Sequence, residues 1–428
     1  FYMLKSEHKM IGSMILGSIF EIFDFLSFAF LSALLAELFF PRDIKGLAII
    51  FTYLTITISY LLRPLGGLVL GHLGDKYGRK SVFAASILLM SIPSFVIGVL
   101  PTFAQIGYFA TALLIIARIL QGFSLGGEFP GAVTYMAEKF KHRNVFFYCA
   151  LLPFGANLGV VAAAQTIQLL SQYTSSEFMH TMGWRIPFLV GSLLALVGFY
   201  IRYSLRESEA FQELQRTHHI SRMPLLTLLQ GFKLQIGCGI LLALVVSVTT
   251  SVFHIFLPGL LVSYFHFNLS VAANVTSAGA AVFAIFSLFF SYFAYWRNVI
   301  FILRLSLLSL IIIFGLILAD FINLNVMLHE SVLGVGAVVM LISLALAGTN
   351  GVFLGILASF FPTQVRFSGI SLCYNLAFIL GAGLTPLWTS SLLALTGSYY
   401  LIVAVCFVVA SVSLANTVAV KNFSGRYL

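Results

Sequence analysis

Gly71-His72-Leu73-Gly74-Asp75-Lys76-Tyr77-Gly78-Arg79-Lys80 stands between two apolar runs, near 46 to 71 and 81 to 100. Its glycines allow a tight turn and close helix approach, and Asp75 beside Lys76, Arg79 and Lys80 supplies the parts of a breakable ionic latch. On residues alone the stretch reads as a phosphate loop or as a plain basic turn. The phosphate loop is excluded, because no G-x-x-x-x-G-K-[ST] run is present. What decides between a bland turn and a latch is the company the stretch keeps.

That company is almost wholly apolar. Of 428 residues, 60% are hydrophobic and 9% charged, with a mean hydropathy of +1.04, which excludes an ordinary soluble globular enzyme. Twelve membrane spans of ~20 residues each consume ~240 residues and leave the rest for helix overhang and loops, with no room for a soluble catalytic domain. Cys149, Cys238, Cys373 and Cys406 lie inside apolar stretches, so neither a disulfide framework nor a cysteine metal site is expected. No metal ligand set is read elsewhere; His218-His219 has no second pair at metal spacing. The first apolar segment, about 28 residues long, is twice a signal peptide's hydrophobic region and no small-residue cleavage site follows it, so it is expected to be kept as a first span.

Apolar runs fall near 11 to 38, 46 to 71, 81 to 100, 106 to 137, 145 to 170 and 184 to 203, then near 234 to 264, 270 to 295, 299 to 320, 332 to 361, 365 to 393 and 397 to 420. One long polar stretch, residues 202 to 233, follows the sixth and carries Arg202, Arg206, Glu207, Glu209, Glu213, Arg216, Arg222 and Lys233, its basic residues falling on the cytoplasmic side. The expected organisation is an N-terminus at 1–10, a six-helix bundle at 11–203, a linker at 204–233, a second six-helix bundle at 234–420 and a tail at 421–428. Placing the N-terminus in the cytoplasm puts 18 of the 23 Lys and Arg residues on the cytoplasmic side, as positive-inside bias requires. Both termini are then cytoplasmic, and the net charge of +9 reflects topology and lipid contact, with no nucleic-acid partner. A two-fold internal repeat is expected, visible in the six-plus-six division and hardly at all in residue identity.

The loop between spans two and three resembles G-x-L-[AG]-D-[RK]-x-G-R-[RK], a signature of the major facilitator superfamily. Glu21-Ile22-Phe23-Asp24-Phe25 resembles E-W-Y-D-F, Arg63-Pro64-Leu65-Gly66-Gly67 matches R-P-L-G-G, and Arg118 to Glu128 matches R-x-x-Q-G-x-x-x-G-G-E. With Gly183 to Phe188 and Phe361 to Gly369 these are similar to the metabolite:proton symporter family, over about residues 11 to 395. The resemblance implies an all-α integral membrane protein of twelve helices in two bundles, working as a monomer by alternating access in a bacterial inner membrane. It implies that Gly71, Asp75, Gly78, Arg79, Lys80 and Arg366 form a cytoplasmic gate, with Asp75 at the N-terminal end of span eleven. The matching loop of the second half, Ser291 to Asn298, has neither the glycine nor the aspartate, so the latch is expected to be one-sided.

Charge inside a span is costly and marks function. Span one carries Glu21 and Asp24; span four carries Arg118, Gln121 and Glu128, which fall on one helical stripe, with Gly122 and Gly126 permitting close packing. In the superfamily that the chain resembles, spans one and four line the central cavity, which implies that Asp24 pairs with Arg118 and carries a proton whose arrival releases the pair; the bland alternative is a permanent pair fixing helix register. Glu128 and Glu21 are further proton-coupling candidates. Arg118 cannot lose its proton, so it requires an anionic partner, from the protein or the substrate. Substrate-binding candidates are Arg118, Gln121, Phe28, His254, Asn350, Tyr374 and Asn375; for His254, Asn350 and Asn375 the bland alternative is helix-packing glue. Arg63 reads as a packing residue.

Span five lacks the G-P-x-x-G-G run of the superfamily's antiporters, which favours symport. No nucleotide motif is present, so the expected driving force is a proton gradient with no cofactor. One clear midplane cation, Arg118, fits a small zwitterion such as proline or a betaine; an organic acid of the 2-oxoglutarate, citrate or shikimate kind is the alternative. A membrane sensor with the same fold is expected to carry a sizeable soluble extension, and a membrane enzyme to carry converging His or Asp clusters.

Overall fold

The computed structural model describes residues 5–41, 47–140, 144–204, 206–218, 220–263, 267, 269–320 and 332–423. Among them every regular element is helical. The long helices are α1 (Lys5–Phe30), α2 (Leu47–Tyr77), α3 (Arg79–Val99), α4 (Tyr108–Lys139), α5 (Asn144–Tyr173) and α6 (Arg185–Tyr203). They continue with α7 (Lys233–Thr250), α8 (Leu269–Phe293), α9 (Val299–Leu318), α10 (Val332–Ser359), α11 (Arg366–Phe378) and α12 (Tyr400–Phe423). Eleven helical stretches among the described residues are long and apolar enough to cross a membrane, and α2, 31 residues long, completes the twelve. Helix is the backbone's answer to lipid, since it satisfies N–H and C=O groups within one segment.

The chain forms two compact units that interleave in sequence. Unit 1 is Phe1–Tyr135, Gly155–Thr227 and Thr363–Ser371; unit 2 is Met136–Phe154, Leu228–Pro362 and Leu372–Leu428. Within unit 1, α3 packs along α6, and α1 along α6. Within unit 2, α9 packs along α12 and α8 along α10. The pairing α3–α6 thus recurs six helices later as α9–α12, the internal repeat whose residue identity has faded.

Glycine sets the closest helix pairs. A Cβ on Gly126 would stand 1.9 Å from the Arg63 carbonyl oxygen, and one on Gly122 2.3 Å from that of Ser59, so α4 meets α2 backbone to backbone. Unit 2 repeats the contact between α10 and α8, where a Cβ on Gly351 would lie 2.4 Å from the Ser287 carbonyl oxygen. Small residues let backbones approach this closely, which is how membrane helices gain packing without a hydrophobic driving force. Short π-helical turns open span seven at Ser251–Phe256 and span eleven at Ile379–Gly383. In unit 2 the Ala382 N–H of the second turn donates to Ser247 Oγ at 2.9 Å.

The Gly183 to Phe188 motif has a structural reading. Trp184 and Phe188 are buried with Phe39 and Leu35 in one apolar cluster. Arg185 closes the end of α3 by donating to the carbonyls of Gly98 at 3.1 Å and Leu100 at 2.8 Å, filling acceptors that a helix C-terminus leaves open.

Candidate functional site

Unit 1 carries the charged interior. Asp24, on α1, is buried, and its Oδ2 accepts from Gln121 Nε2 at 2.7 Å. The same amide nitrogen donates to Ser94 Oγ of α3 at 2.8 Å, while Gln121 Oε1 accepts from Arg118 Nη1 at 2.9 Å. This orientation of the amide is the one that serves both charges, because a guanidinium only donates and a carboxylate only accepts. The expected direct Asp24–Arg118 ion pair is therefore corrected. No salt bridge joins the two among the described residues, and Gln121 stands between them as a polar relay. The physical reason is the helical stripe itself: Gln121 lies one turn from Arg118, on the same face, and reaches Asp24 first.

Arg118 is fully buried and sits over the ring of Phe28 at 4.1 Å and that of Phe25 at 5.1 Å. Phe28 is thus a lid on the guanidinium. Arg63 also lies over Phe25, at 4.8 Å, and over Tyr60, at 4.2 Å. The Phe25 ring is shared by two cations, and no carboxylate is within ion-pair distance of Arg63 among the described residues. Cation–π contact of this kind offsets part of the cost of burying an arginine.

Glu128, two turns beyond Gln121 on α4, has a partner that the sequence did not reveal. Its Oε1 forms an ion pair with Arg202 Nη1 at 2.9 Å, with both side chains buried. Arg202 is expected from the sequence in a cytoplasmic polar stretch; the structure places it inside the last turn of α6, over the ring of Phe83 at 4.0 Å. Its guanidinium presses so closely on α1 that a Cβ on Gly17 would come within 1.6 Å of Nη2. The absence of a Cβ at Gly17 was the available signal. Glu21, on the next turn of α1, is buried and lines a small cavity together with Asp24 and Glu128.

The loop motif occupies the other part of unit 1. Asp75 is buried, and its Oδ1 and Oδ2 accept the N–H groups of Phe367 at 3.2 Å and Ser368 at 2.9 Å, at the start of α11. These first N–H groups of a helix have no internal partner and carry the positive end of its dipole. Arg79 Nη2 pairs with Asp75 Oδ1 at 3.1 Å and also donates to the Thr363 carbonyl, while Nη1 donates to the Gly74 carbonyl at 3.0 Å. Residues 363–371 come from the second half of the sequence yet belong to the same compact unit as Asp75. Gly71 lies against this segment, a Cβ there falling 3.0 Å from Ser368 Cα. Gly78 takes a φ of +115°, which a side chain would strain. Burial pushes the Asp75 carboxyl up to about 6, against the opposing pull of Arg79 and the α11 N–H groups.

Glu207 was missed at this end. It accepts from the N–H groups of Arg79 at 3.1 Å and Lys80 at 3.2 Å, so a carboxylate covers the N-terminus of α3. Lys80 turns its ammonium over the Tyr203 ring at 5.3 Å, and Arg366 is buried at the first position of α11.

The remaining candidates fall in unit 2. Asn350 Nδ2 donates to Ser287 Oγ at 3.1 Å, tying α10 to α8 beside Gly351. Tyr374 stacks on Phe378 at 4.1 Å, and Asn375 is buried on the same helix. The His254 side chain lies outside the described residues, as do residues 1–4, His219 and 424–428. Among the described residues no group of three or more His, Cys, Asp or Glu is placed to hold a metal ion, and the cysteines form no disulfide.

A family model described as Major Facilitator Superfamily matches residues 13–372. The proline/betaine transporter of Escherichia coli K12 is 31% identical over 447 residues, covering 98% of this chain and 84% of that protein. A glycine betaine/proline/ectoine/pipecolic acid transporter of Dickeya dadantii is 28% identical, covering 98% and 84%. Among solved structures, a proton:xylose symporter bound to 6-bromo-6-deoxy-D-glucose superposes with a TM-score of 0.73 at 13% identity, covering 97% of this chain and 95% of that one.

Proposed function

The chain belongs to the major facilitator superfamily, and from that premise we propose that it is a proton-driven symporter that imports a small zwitterion of the proline or betaine kind. The superfamily and the relatives are transporters, not enzymes, and the chain is a multi-pass membrane protein of that type. Relatives near 30% identity that carry proline or betaine support the substrate class. The observation that carries the mechanism is the Asp24–Gln121–Arg118 chain, buried at mid-span in unit 1.

In this reading Asp24 takes the proton. A neutral Asp24 no longer holds the Gln121 amide by its charge, and Gln121 and Arg118 turn to the substrate carboxylate, so that proton and solute occupy the protein together. The substrate's own cation then needs no second arginine. Asp75 and Arg79 on the first N–H groups of α11 serve as the cytoplasmic latch that opens and closes with each cycle. The termini are cytoplasmic, the membrane is a bacterial inner membrane, the working unit is a monomer, and the proton gradient replaces any cofactor.

One observation favours a second reading. Arg63 and Arg118 share the Phe25 ring, which supplies two cations where the sequence suggested one. A dianion such as 2-oxoglutarate would use both. Counterflow in proteoliposomes with labelled proline, glycine betaine, 2-oxoglutarate, citrate and shikimate separates the two. Exchange of proline or glycine betaine supports the zwitterion, whereas exchange of 2-oxoglutarate without either sinks it.

A further inference from the structure

Two buried carboxylate oxygens of unit 1, Asp24 Oδ1 and Glu128 Oε2, have no hydrogen-bond partner among the described residues. Leaving such atoms dry is expensive. Both residues line one cavity among α1, α3, α4 and α6, and Glu21, Ser94 and Gly191 form more of its wall. The volume open to the centre of a water molecule is about 10 Å³. That is close to the least space one water needs, and the lining offers the two to four polar partners that a buried water takes. Gly191 keeps the space open. A Cβ there would stand 3.3 Å from Asp24 Oδ1, in the cavity itself.

We propose that this cavity holds a single water that passes the coupling proton from Asp24 to Glu128 within unit 1, through Asp24 Oδ1 rather than the Oδ2 that Gln121 holds. The proposal rests on the reading of Asp24 as proton carrier. In the step, the Asp24 O–H bond breaks and its proton goes to the water oxygen, while the water gives another proton to Glu128 Oε2. Asp24 becomes a carboxylate, Glu128 a carboxylic acid, and the water is regenerated. The two Glu128 oxygens divide the roles, since Oε1 holds Arg202 at 2.9 Å and Oε2 faces the proton. The charges facing the path are Glu21 and Asp24 on α1, Arg63 on α2, Arg118 and Glu128 on α4, and Arg202 on α6; if all are ionised, they sum to zero. A neutral Glu128 weakens its hold on Arg202, whose guanidinium already lies against Gly17, one turn from Glu21. Glu21 is the carboxylate placed to take up that charge.

The test fills the cavity without removing an ionisable group. Gly191→Ala and Ala195→Val proteins are reconstituted beside unaltered protein and Asp24→Asn, and labelled proline or glycine betaine is followed in two assays. Gradient-driven uptake needs net proton transfer; counterflow exchange does not. The proposal expects gradient-driven uptake to fall about tenfold in both cavity variants with exchange kept. Full gradient-driven uptake in both overturns it. If instead Asp24→Asn still concentrates solute, it is the underlying reading that fails. Should a variant lose exchange too, infrared difference spectra of the unaltered protein in H2O and H2(18)O decide. An isolated water band that moves when the carboxyls titrate supports the relay, and its absence overturns it.

Discussion

The two units share a scaffold and differ in what they bury. In unit 1, α2 and α4 meet at Gly122 and Gly126, and the polar interior is ionic: Glu21, Asp24, Arg63, Arg118, Glu128 and Arg202. In unit 2, α8 and α10 meet at Gly351, and the interior is built of hydroxyls and amides. Ser306 Oγ bonds Thr349 Oγ1 at 2.7 Å, Asn350 reaches Ser287, and Ser247 takes the Ala382 N–H. Glu138, on the last turn of α4, is the one carboxylate that unit 2 buries among its described residues. Glycine-spaced packing is thus kept as frame, while the buried ionisable side chains are concentrated in unit 1. Hydroxyls and amides stay neutral at any working pH, whereas a carboxylate changes charge when it takes up a proton.

The strongest way to break this contrast is Asp24→Asn. The amide keeps the shape but cannot bind a proton, so gradient-driven accumulation in proteoliposomes should fall on the order of 100-fold with counterflow retained. Asn350→Ser in unit 2 should leave the ratio of the two assays unchanged. Equal losses of accumulation from both would show that coupling is not confined to unit 1.

Next in size is the Glu128–Arg202 pair. Glu128→Gln alone strands a buried guanidinium and should cost about 3–5 kcal/mol, while Glu128→Gln with Arg202→Gln should recover most of it. Denaturation in detergent micelles measures both. If the double variant is no more stable than the single, the pair's value lies elsewhere than in mutual neutralisation. A smaller effect tests the common frame: Gly126→Ala and Gly351→Ala each force a backbone contact apart and should each cost about 1–3 kcal/mol. A large cost in one unit and none in the other would show that the packing repeat is only apparent.

Much of this was legible in the sequence, and the gaps have a physical pattern. The ten residues from Gly71 to Lys80, read alone, left a plain basic turn open; their resemblance to a superfamily signature implied both the fold and the place of Asp75. Span number followed from hydropathy. Arg202 was misplaced because it sits where an apolar run gives way to a polar one, and hydropathy cannot say which side of that boundary a last helical turn falls. Gln121 was found on the right stripe, yet its bridging role depends on a rotamer that periodicity does not carry. Glu207 lay in a stretch read only for its charge. The exchange of residues 136–154 and 363–371 between units has no local signature at all, since it is a property of packing at long range.

The loop at Asp75 sharpens the comparison through pH. Its carboxyl rises from an ordinary 3.8 to about 6 on burial. The folded protein therefore binds this proton where the unfolded chain does not, so neutralising Asp75 adds stability as pH falls through 6, an addition complete below about 4. Above pH 6 the ionised, buried group carries its full cost. Asp75→Asn is neutral at every pH, so the melting temperature of Asp75→Asn minus that of the unaltered protein should be largest near pH 7.5 and shrink toward pH 4. A difference that grows on acidification would mean that the bonds to Arg79 and α11 outweigh desolvation.

The smallest effect expected is in unit 2. Asn350→Ala removes one neutral hydrogen bond to Ser287 Oγ, at 3.1 Å, and should cost about 1 kcal/mol. Ser287 is not stranded, because its own hydroxyl already donates to the Phe283 carbonyl one turn back. No charge is exposed and no partner ion is left buried, so the loss should be indifferent to pH between 5 and 8 and should add to that of Glu128→Gln. Denaturation of the single and double variants at both ends of that range checks the sum. A pH-dependent cost at Asn350, or coupling to Glu128, would mean that the ionic interior of unit 1 and the amide interior of unit 2 respond to the proton together.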